Sequence, residues 1–250
     1  MKTLAWTGLL LLALVGVLIG VTRAMVVTRA LQGPPSAELS PEDREMVARF
    51  ASMLAIPVDS VQFRLMERDT RDAAVRYNSQ PIVVLLHVVP GAAFLLLAPL
   101  QLLARVRDRA PAVHRASGYL LIALAVPFVL TGFYIAVSDP FFGLWGSSAV
   151  VIATALFINA GCQAYAAIRR GDITRHRAWM LRFLAVAYGI AVMRVISLPV
   201  IALFPISPRT LGPPTFWAGW FISIMLAEWW IRRSPWQGAR IPLQNDGRAA

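Results

Sequence analysis

The sequence predicts an all-α integral membrane protein with six transmembrane helices. Three observations support this fold class: 58% of the 250 residues are hydrophobic, only 15% are charged, and the mean hydropathy is +0.62. Such a composition excludes a disordered chain and disfavours a water-soluble globule. The expected surroundings of the chain, and its first partner, are therefore the lipid bilayer.

Six apolar runs are long enough to cross the hydrocarbon layer as helices, because about 20 residues span roughly 30 Å. They cover residues 4–22, 81–104, 116–138, 147–168, 178–203 and 214–231. The second, third and fourth runs carry no charge, whereas the fifth contains Arg182 and Arg194 and the sixth contains Glu228. A charged group inside a span needs a partner or a function.

The apolar runs also divide the chain. The expected organisation is a transmembrane anchor at 1–22, an extracytoplasmic segment at 23–80, a five-span core at 81–231 and a cytoplasmic tail at 232–250. The first run is longer than the usual core of a signal peptide, so we expect an uncleaved anchor. In the second segment, Ser40-Pro41-Glu42-Asp43 predicts the start of a short amphipathic helix that lies on the outer mouth of the bundle.

The positions of the basic residues predict the orientation. Lys2 is the single lysine, and twelve of the arginines lie in clusters beside alternate runs, at 105–115, 169–177 and 232–248. Positive residues in short loops stay on the cytoplasmic side, so both termini are expected in the cytoplasm of a bacterial inner membrane. Because topology accounts for the net charge of +11, nucleic acid is disfavoured as a partner.

An internal repeat relates two pairs of spans. When Gln101 is aligned with Gln163, His114-Arg115-Ala116 falls on His176-Arg177-Ala178, because glutamine and histidine are thirteen residues apart in both copies. The repeat predicts that spans two to five form a duplicated up-and-down four-helix core. The alternative is that arginine-rich turns resemble one another through topology alone.

The repeated histidines suggest an inner site made of His114, His176, Arg115, Arg177 and Arg182. Two imidazoles that face each other across a bundle are the axial ligands that a b-type haem requires, and arginines bind its propionates. A metal role for His114 and His176 is thus expected for haem only. The alternative is that each His-Arg pair anchors its helix at lipid phosphates, aided by the positive end of the helix dipole.

A second, outer site is expected from His87 and Arg194. His87 lies six residues inside span two and three residues before Pro90 of the Pro90-Gly91 pair. An unpaired guanidinium in hydrocarbon costs at least roughly 2.5 kcal/mol, so Arg194 needs a partner. The candidates are carbonyls freed by Pro90 or Pro199, Asp139, a lipid phosphate and a bound anion. The site is therefore either a polar lock between helices or a binding site.

The remaining polar residues give weaker predictions. Glu228 precedes Arg232 and Arg233 by four and five residues, the spacing of ion pairs on one helix face. Cys162, the single cysteine, lies inside an apolar run and is expected to be a small buried residue. No glycine-rich phosphate loop, nucleophile elbow or His-x-x-x-His metal pair occurs, so the sequence favours a binding protein over an enzyme.

Several of these residues also carry a resemblance to a known family. Over about residues 80–200, and most specifically in the stretch His176-Arg177-Ala178-Trp179-Met180-Leu181-Arg182, the chain resembles the bacterial membrane proteins grouped as domain of unknown function 2306. The resemblance implies a multi-spanning membrane protein. It marks the matching histidines and arginines as candidate functional residues and assigns no activity.

Three classes of function follow from the residues. The first is a ligand- or cofactor-binding membrane bundle, with electron transfer through b-type haem as its sharpest form. The second is a non-redox transporter or sensor for an anionic solute or lipid, and the third is a structural or assembly subunit without a ligand.

Overall fold

The computed structural model describes residues 2–31, 39, 41–138 and 140–234, and every regular element in these ranges is a helix. The nine helices of the described ranges are α1 Lys2–Ala30, α2 Pro41–Met53, α3 Val61–Asn78, α4 Pro81–Leu102, α5 Ala104–Arg109, α6 Pro111–Ser138, α7 Gly143–Arg169, α8 Ile173–Leu203 and α9 Pro208–Arg233. The protein is thus an all-α membrane protein with several apolar helices, as the composition predicts.

Within the part of the chain that the structure describes, five helices are long and apolar enough to cross a membrane. They are the segment Thr7–Met25 within α1, and the whole of α4, α6, α7 and α8. The sixth expected span lies within α9, which has 26 residues but is not among these five. The first apolar run is also longer as a helix than the predicted 4–22, because no helix-breaking residue occurs before the Gln32-Gly33-Pro34-Pro35 stretch of the sequence.

The core consists of two helical hairpins. One is α4 with α6 and the other is α7 with α8, and they meet along α6 with α7 and, more narrowly, along α4 with α8. Helix α9 packs along α8, and α1 packs against α4 and α8. Because short turns join helices that run in opposite directions, the starts of α6 and α8 lie at the same end of the core. We call this the arginine-rich end, and the end that carries α2 and α3 the opposite end.

A cluster of phenylalanines fills the middle of the core. Each of the four hairpin helices supplies one ring, and the members are Phe94, Phe128, Phe157 and Phe183. The rings of Phe157 and Phe183 are stacked with their centres 4.1 Å apart, and the other contacts are edge-to-face at 5.3–6.0 Å. Edge-to-face and offset packing is the favoured geometry of aromatic pairs, so this cluster fixes how the hairpins meet.

At the opposite end, α3 fastens the turn between α8 and α9. The buried carboxylate of Asp69 accepts hydrogen bonds from the Ser207 hydroxyl and from the backbone N–H of Arg209, at the start of α9. The Gln62 side chain donates to the carbonyl of Ile206 at 3.0 Å. Apolar residues of α2 and α3 pack against Ile201 and Leu211 beside this turn. Helix α2 begins at Pro41, where the sequence predicts a helix, whereas α3 was not expected.

Cys162 differs from its expected environment. It lies on α7 and its side chain is exposed instead of buried. The apolar run around it predicts a span but not which face of the helix is turned inward, because that face is chosen by the neighbouring helices. On α7 the inward face consists mainly of alanines, including Ala153, Ala160 and Ala164.

Candidate functional site

The histidines of the repeat lie in the first turns of α6 and α8, at the arginine-rich end. Helix α8 follows a tight turn in which Gly171 has a φ of 73°, and its N-terminal residue Asp172 accepts a hydrogen bond from the backbone N–H of Arg175 at 2.8 Å. Helix α6 begins directly at Pro111, which has no N–H to leave unsatisfied. These two helix starts place His176 and His114 at corresponding positions.

His176 is held in place by the preceding helix. Its Nδ1 lies 2.9 Å from the carbonyl oxygen of Ala164 on α7. A carbonyl can only accept, so Nδ1 donates in this bond and Nε2 makes no hydrogen bond within the described ranges. This bond fixes the plane of the imidazole and leaves Nε2 for a ligand or a proton donor.

His114 has a different environment. Its Nδ1 is buried and has no hydrogen-bond partner among the described residues. Its backbone carbonyl, by contrast, accepts a hydrogen bond from the buried Gln101 side chain, which also donates to the Ser117 hydroxyl at 2.7 Å. The groups that act electrostatically on His114 are His176, Arg107 and Arg115, none of which is acidic.

The two arginines that follow the histidines differ in burial. The Nε of Arg177 is buried and has no acceptor within the described ranges, whereas the Arg115 side chain is exposed. His114 is in electrostatic range of His176 and Arg115, and Arg177 follows His176 on α8; we call these four residues the inner site. The guanidiniums are hydrogen-bond donors, and each imidazole donates from a nitrogen that carries a proton, so the site can receive an anion.

Arg182 is expected at the same site, but its guanidinium is already engaged. Its Nε and Nη2 donate to the two carboxylate oxygens of Glu228 on α9, at 2.5 and 3.0 Å, and its guanidinium carbon lies 4.6 Å from the centre of the Trp179 ring. The prediction that Glu228 pairs with Arg232 and Arg233 is therefore wrong. Sequence spacing finds pairs on one helix only, and here the partner belongs to the neighbouring antiparallel helix.

His87 is bound to the second helix of its own hairpin. Its Nδ1 lies 2.7 Å from the carbonyl oxygen of Phe128 on α6, and its ring meets the Phe128 ring at an edge-to-face angle of 65°. The ring also rests on Gly132, where any side chain would collide with it. This arrangement is a polar contact between α4 and α6, which accounts for a histidine within an apolar helix.

Arg194 is, after His87, the second residue of the expected outer site. No hydrogen bond or ring contact joins the two side chains in the part of the chain that the structure describes. Arg194 is exposed and acts electrostatically on Arg23 and Tyr77, residues that the sequence analysis did not select. The only signal for Arg23 was its position directly after the first apolar run. Of the partners considered for Arg194, Asp139 lies outside the described residues.

The chemistry available at the inner site is binding and proton exchange. Among the residues described, no group of three or more His, Cys, Asp or Glu side chains is placed to hold a metal ion. His114 and His176 are two imidazoles in mutual electrostatic range, which matches the donor type of a haem with two axial ligands. The unpartnered donors beside them match a phosphate or carboxylate equally well.

Comparison with known proteins agrees with the membrane fold. The model of the family described as "Predicted membrane protein (DUF2306)" matches residues 84–231, which include most of the span in α4, the whole of the spans in α6, α7 and α8, and all of the inner site. No curated protein and no solved structure matches the chain. Because the match covers well over half of the sequence, the chain belongs to this family of multi-pass membrane proteins.

Proposed function

We propose that the protein is a non-redox sensor or carrier that binds an anionic group at the inner site, with His114, Arg115, His176 and Arg177 as its ligands. The observation that carries this proposal is the pair of buried, unpartnered polar atoms there, His114 Nδ1 and Arg177 Nε. Buried polar groups in proteins are nearly always hydrogen-bonded. Leaving one unsatisfied costs about 1–3 kcal/mol, which a bound acceptor recovers.

Charge supports an anion over a cation. No acidic side chain is among the groups that act on His114, and the nearby carboxylate of Asp108 is engaged with Arg107 at 3.0 Å. Glu228 is likewise engaged with Arg182. The N-terminus of α6 adds the positive end of a helix dipole, whereas the N-terminus of α8 is already capped by the Asp172 carboxylate. A phosphate, whether on a lipid headgroup or free, is the ligand that satisfies these donors.

The phenylalanine cluster supports a sensor or carrier over an open channel. Four aromatic rings fill the centre of the core above the inner site, so a ligand bound there does not continue through the bundle in this conformation. A change in the way the hairpins meet would have to move stacked rings such as Phe157 and Phe183. Packed cores change between discrete arrangements and do not deform continuously, so the cluster is suited to report occupancy.

The proposed orientation places the inner site in the cytoplasm of a bacterial inner membrane, with both termini on the same side. The arginine-rich turns at 103–110 and 170–172 support this topology. Single cysteines introduced at Arg109 and Arg170, in a Cys162→Ser background, should both react with a membrane-impermeant maleimide only after the cells are opened. Labelling of either position in intact spheroplasts would contradict the orientation.

A binding titration tests the inner site. Inorganic phosphate and, separately, phosphatidylglycerol in mixed micelles are titrated against the purified full-length protein while its melting temperature is followed. Arg177→Gln should weaken the response to one or both probes by roughly tenfold, because a charge-assisted hydrogen bond is lost. Arg175→Gln is the matched control, since this exposed arginine lies on the same helical turn. Equal responses of the two variants would refute the inner site.

Haem is the second candidate, because the Ala164 carbonyl orients the His176 ring with Nε2 free, as in metal sites whose histidine ligands are fixed by a second hydrogen bond. Protein produced with an ample haem supply should then show an absorbance band in the Soret region. The band should be absent in both His114→Ala and His176→Ala. A colourless preparation would exclude this candidate and leave the anion site untouched.

A further inference from the structure

Two arginines at the opposite end of the core repel each other and share few counter-charges. Gly16 of α1 and Tyr188 of α8 both contact Leu95, and Arg23 and Arg194 follow them by seven and six residues on helices that run in the same direction. The two arginines therefore lie at about the same level of the core.

Tyr77 and Asp43 act electrostatically on Arg23, and Arg23 and Tyr77 act on Arg194. The guanidinium carbon of Arg23 lies 4.7 Å from the centre of the Tyr77 ring, so the ring face supports this cation. Among the described groups that act on the two guanidiniums, Asp43 is the one carboxylate.

Arg194 itself has no hydrogen-bond acceptor within the ranges that the structure describes. It is exposed although it lies nine residues before the end of α8 at Leu203. The neighbouring charge of Arg23 raises the cost of keeping it there. Guanidinium groups in membrane segments otherwise pair or face a ligand, so this position calls for an external anion.

The level of Arg194 follows from its contacts with α9. Ser197 bonds to Thr215 at 3.2 Å, and the Trp220 indole donates to the Val186 carbonyl at 3.0 Å. These two bonds place Arg194 beside Trp217, whose ring centre lies 5.8 Å from that of Trp145. Tryptophans gather where hydrocarbon meets headgroups. Arg194 therefore lies at the level of this aromatic pair.

The distance along α8 agrees with that level. His176 of the inner site and Arg194 are 18 residues apart on one continuous helix. At 1.5 Å per residue this separation is about 27 Å, close to the roughly 30 Å thickness of the hydrocarbon layer. If the inner site lies at one headgroup level, Arg194 lies at the other.

We propose that Arg23 and Arg194 form a second anion site, with Tyr77 as the residue that positions Arg23. The ligand is a phosphate group, either of a membrane lipid or free in solution, because two guanidiniums recognise its oxygens in a forked geometry. His87 takes no part, since its Nδ1 is bonded to Phe128. This site is independent of the inner site and lies at the other end of the core.

The test removes the inner site first. Full-length protein with Arg177→Gln is titrated with phosphatidylglycerol in mixed micelles and, separately, with inorganic phosphate, and the apparent dissociation constant is taken from the shift in melting temperature. Adding Arg194→Gln or Arg23→Gln should weaken binding by roughly tenfold or more. Because the inner site is already disabled, failure of the function proposed above does not affect this result.

The matched control is Arg49→Gln, since Arg49 is an exposed arginine of α2 that pairs with Glu45 at 2.6 Å. A response to phosphatidylglycerol alone assigns the site to lipid, and a response to phosphate alone assigns it to a free anion. Equal binding by the Arg194→Gln and Arg49→Gln proteins, or no response to either probe before those changes, would overturn the proposal.

If the Arg194→Gln protein does not fold, a labelling measurement tests the same proposal. Phenylglyoxal modifies accessible arginines, and the extent at each position is read by mass spectrometry on the Arg177→Gln protein. The probe that binds, either phosphatidylglycerol or phosphate, should protect Arg194 from phenylglyoxal several-fold more than it protects Arg49. Equal protection of the two arginines would again overturn the proposal.

Discussion

The two hairpins of the core have the same glutamine-to-histidine spacing and are closed by different hydrogen bonds. In the first hairpin, Gln101 binds the backbone and Ser117 at the start of α6, and the His114 ring is left without a partner at Nδ1. In the second, the His176 ring binds Ala164 of α7, and Gln163 makes no hydrogen bond within the described ranges. The glutamine thus closes the turn of the first hairpin, and the histidine closes the turn of the second.

The difference arises from where the first helix of each hairpin ends. Helix α4 ends at Leu102, one residue after Gln101, and a separate short helix precedes Pro111. Helix α7 continues to Arg169, so the tight turn at Gly171 brings His176 back against its last turns. The comparison shows that one spacing can produce a structural histidine and a free one. A site between them is therefore asymmetric.

The second hairpin is also tied to α9, and removing that tie should have the largest effect. Glu228→Ala leaves the Arg182 guanidinium without its carboxylate and should lower the free energy of unfolding by about 2 kcal/mol, less than for a fully buried pair because the side chains are 27% and 25% exposed. Unfolding in mixed detergent micelles measures this change. The double variant Arg182→Met/Glu228→Met should recover most of it, and an additive loss would contradict the pairing.

The glutamines sharpen the comparison directly. Gln101→Ala should cost about 1–2 kcal/mol, because it removes bonds from a buried side chain to the start of α6. Gln163→Ala should change stability by less than about 0.5 kcal/mol. Equal losses in the same unfolding assay would mean that the two turns are closed alike.

For the histidines, we expect the larger loss of stability in the second hairpin, whereas for the glutamines we expect it in the first. His176→Ala should lower stability by about 1 kcal/mol, since it breaks the 2.9 Å bond to Ala164. His114→Ala should have a smaller effect on stability and a larger one on phosphate binding. Melting temperatures measured with and without phosphate separate the two effects, and a destabilised His114→Ala protein that still binds phosphate would contradict this assignment.

The turn itself should give the smallest effect. Gly171 has a φ of 73°, so Gly171→Ala should cost about 1 kcal/mol through backbone strain alone, because nothing crowds the added methyl group. The position aligned with it in the first hairpin is Arg109, at the end of α5, and Arg109→Ala should be nearly neutral. Thermal unfolding in detergent compares the two variants. Unchanged stability in both would mean that the two turns do not differ in backbone strain.

Much of the fold was predictable because a transmembrane span is recognised from the hydropathy of its own residues. Residues 116–138 and 147–168 were recognised by hydropathy, and α6 and α7 contain them. Helix α3 was missed, since Asp69 and Gln62 are polar residues whose role is to bind the α8–α9 turn. The inner site was predictable as a pair of repeated His-Arg motifs. The ion pair between Arg182 and Glu228 was not predictable, because it joins residues of two helices.

The sequence by itself determined the membrane environment of this protein, its helical class and the family whose model matches residues 84–231. The membrane environment and the helical class follow from composition and from the length of apolar runs, which do not depend on distant contacts. The tertiary structure alone decided which charges are neutralised. Arg182 and Arg194 lie on the same helix, but only the packing of α9 gives one of them a carboxylate, and only α1 and α3 give the other its neighbours.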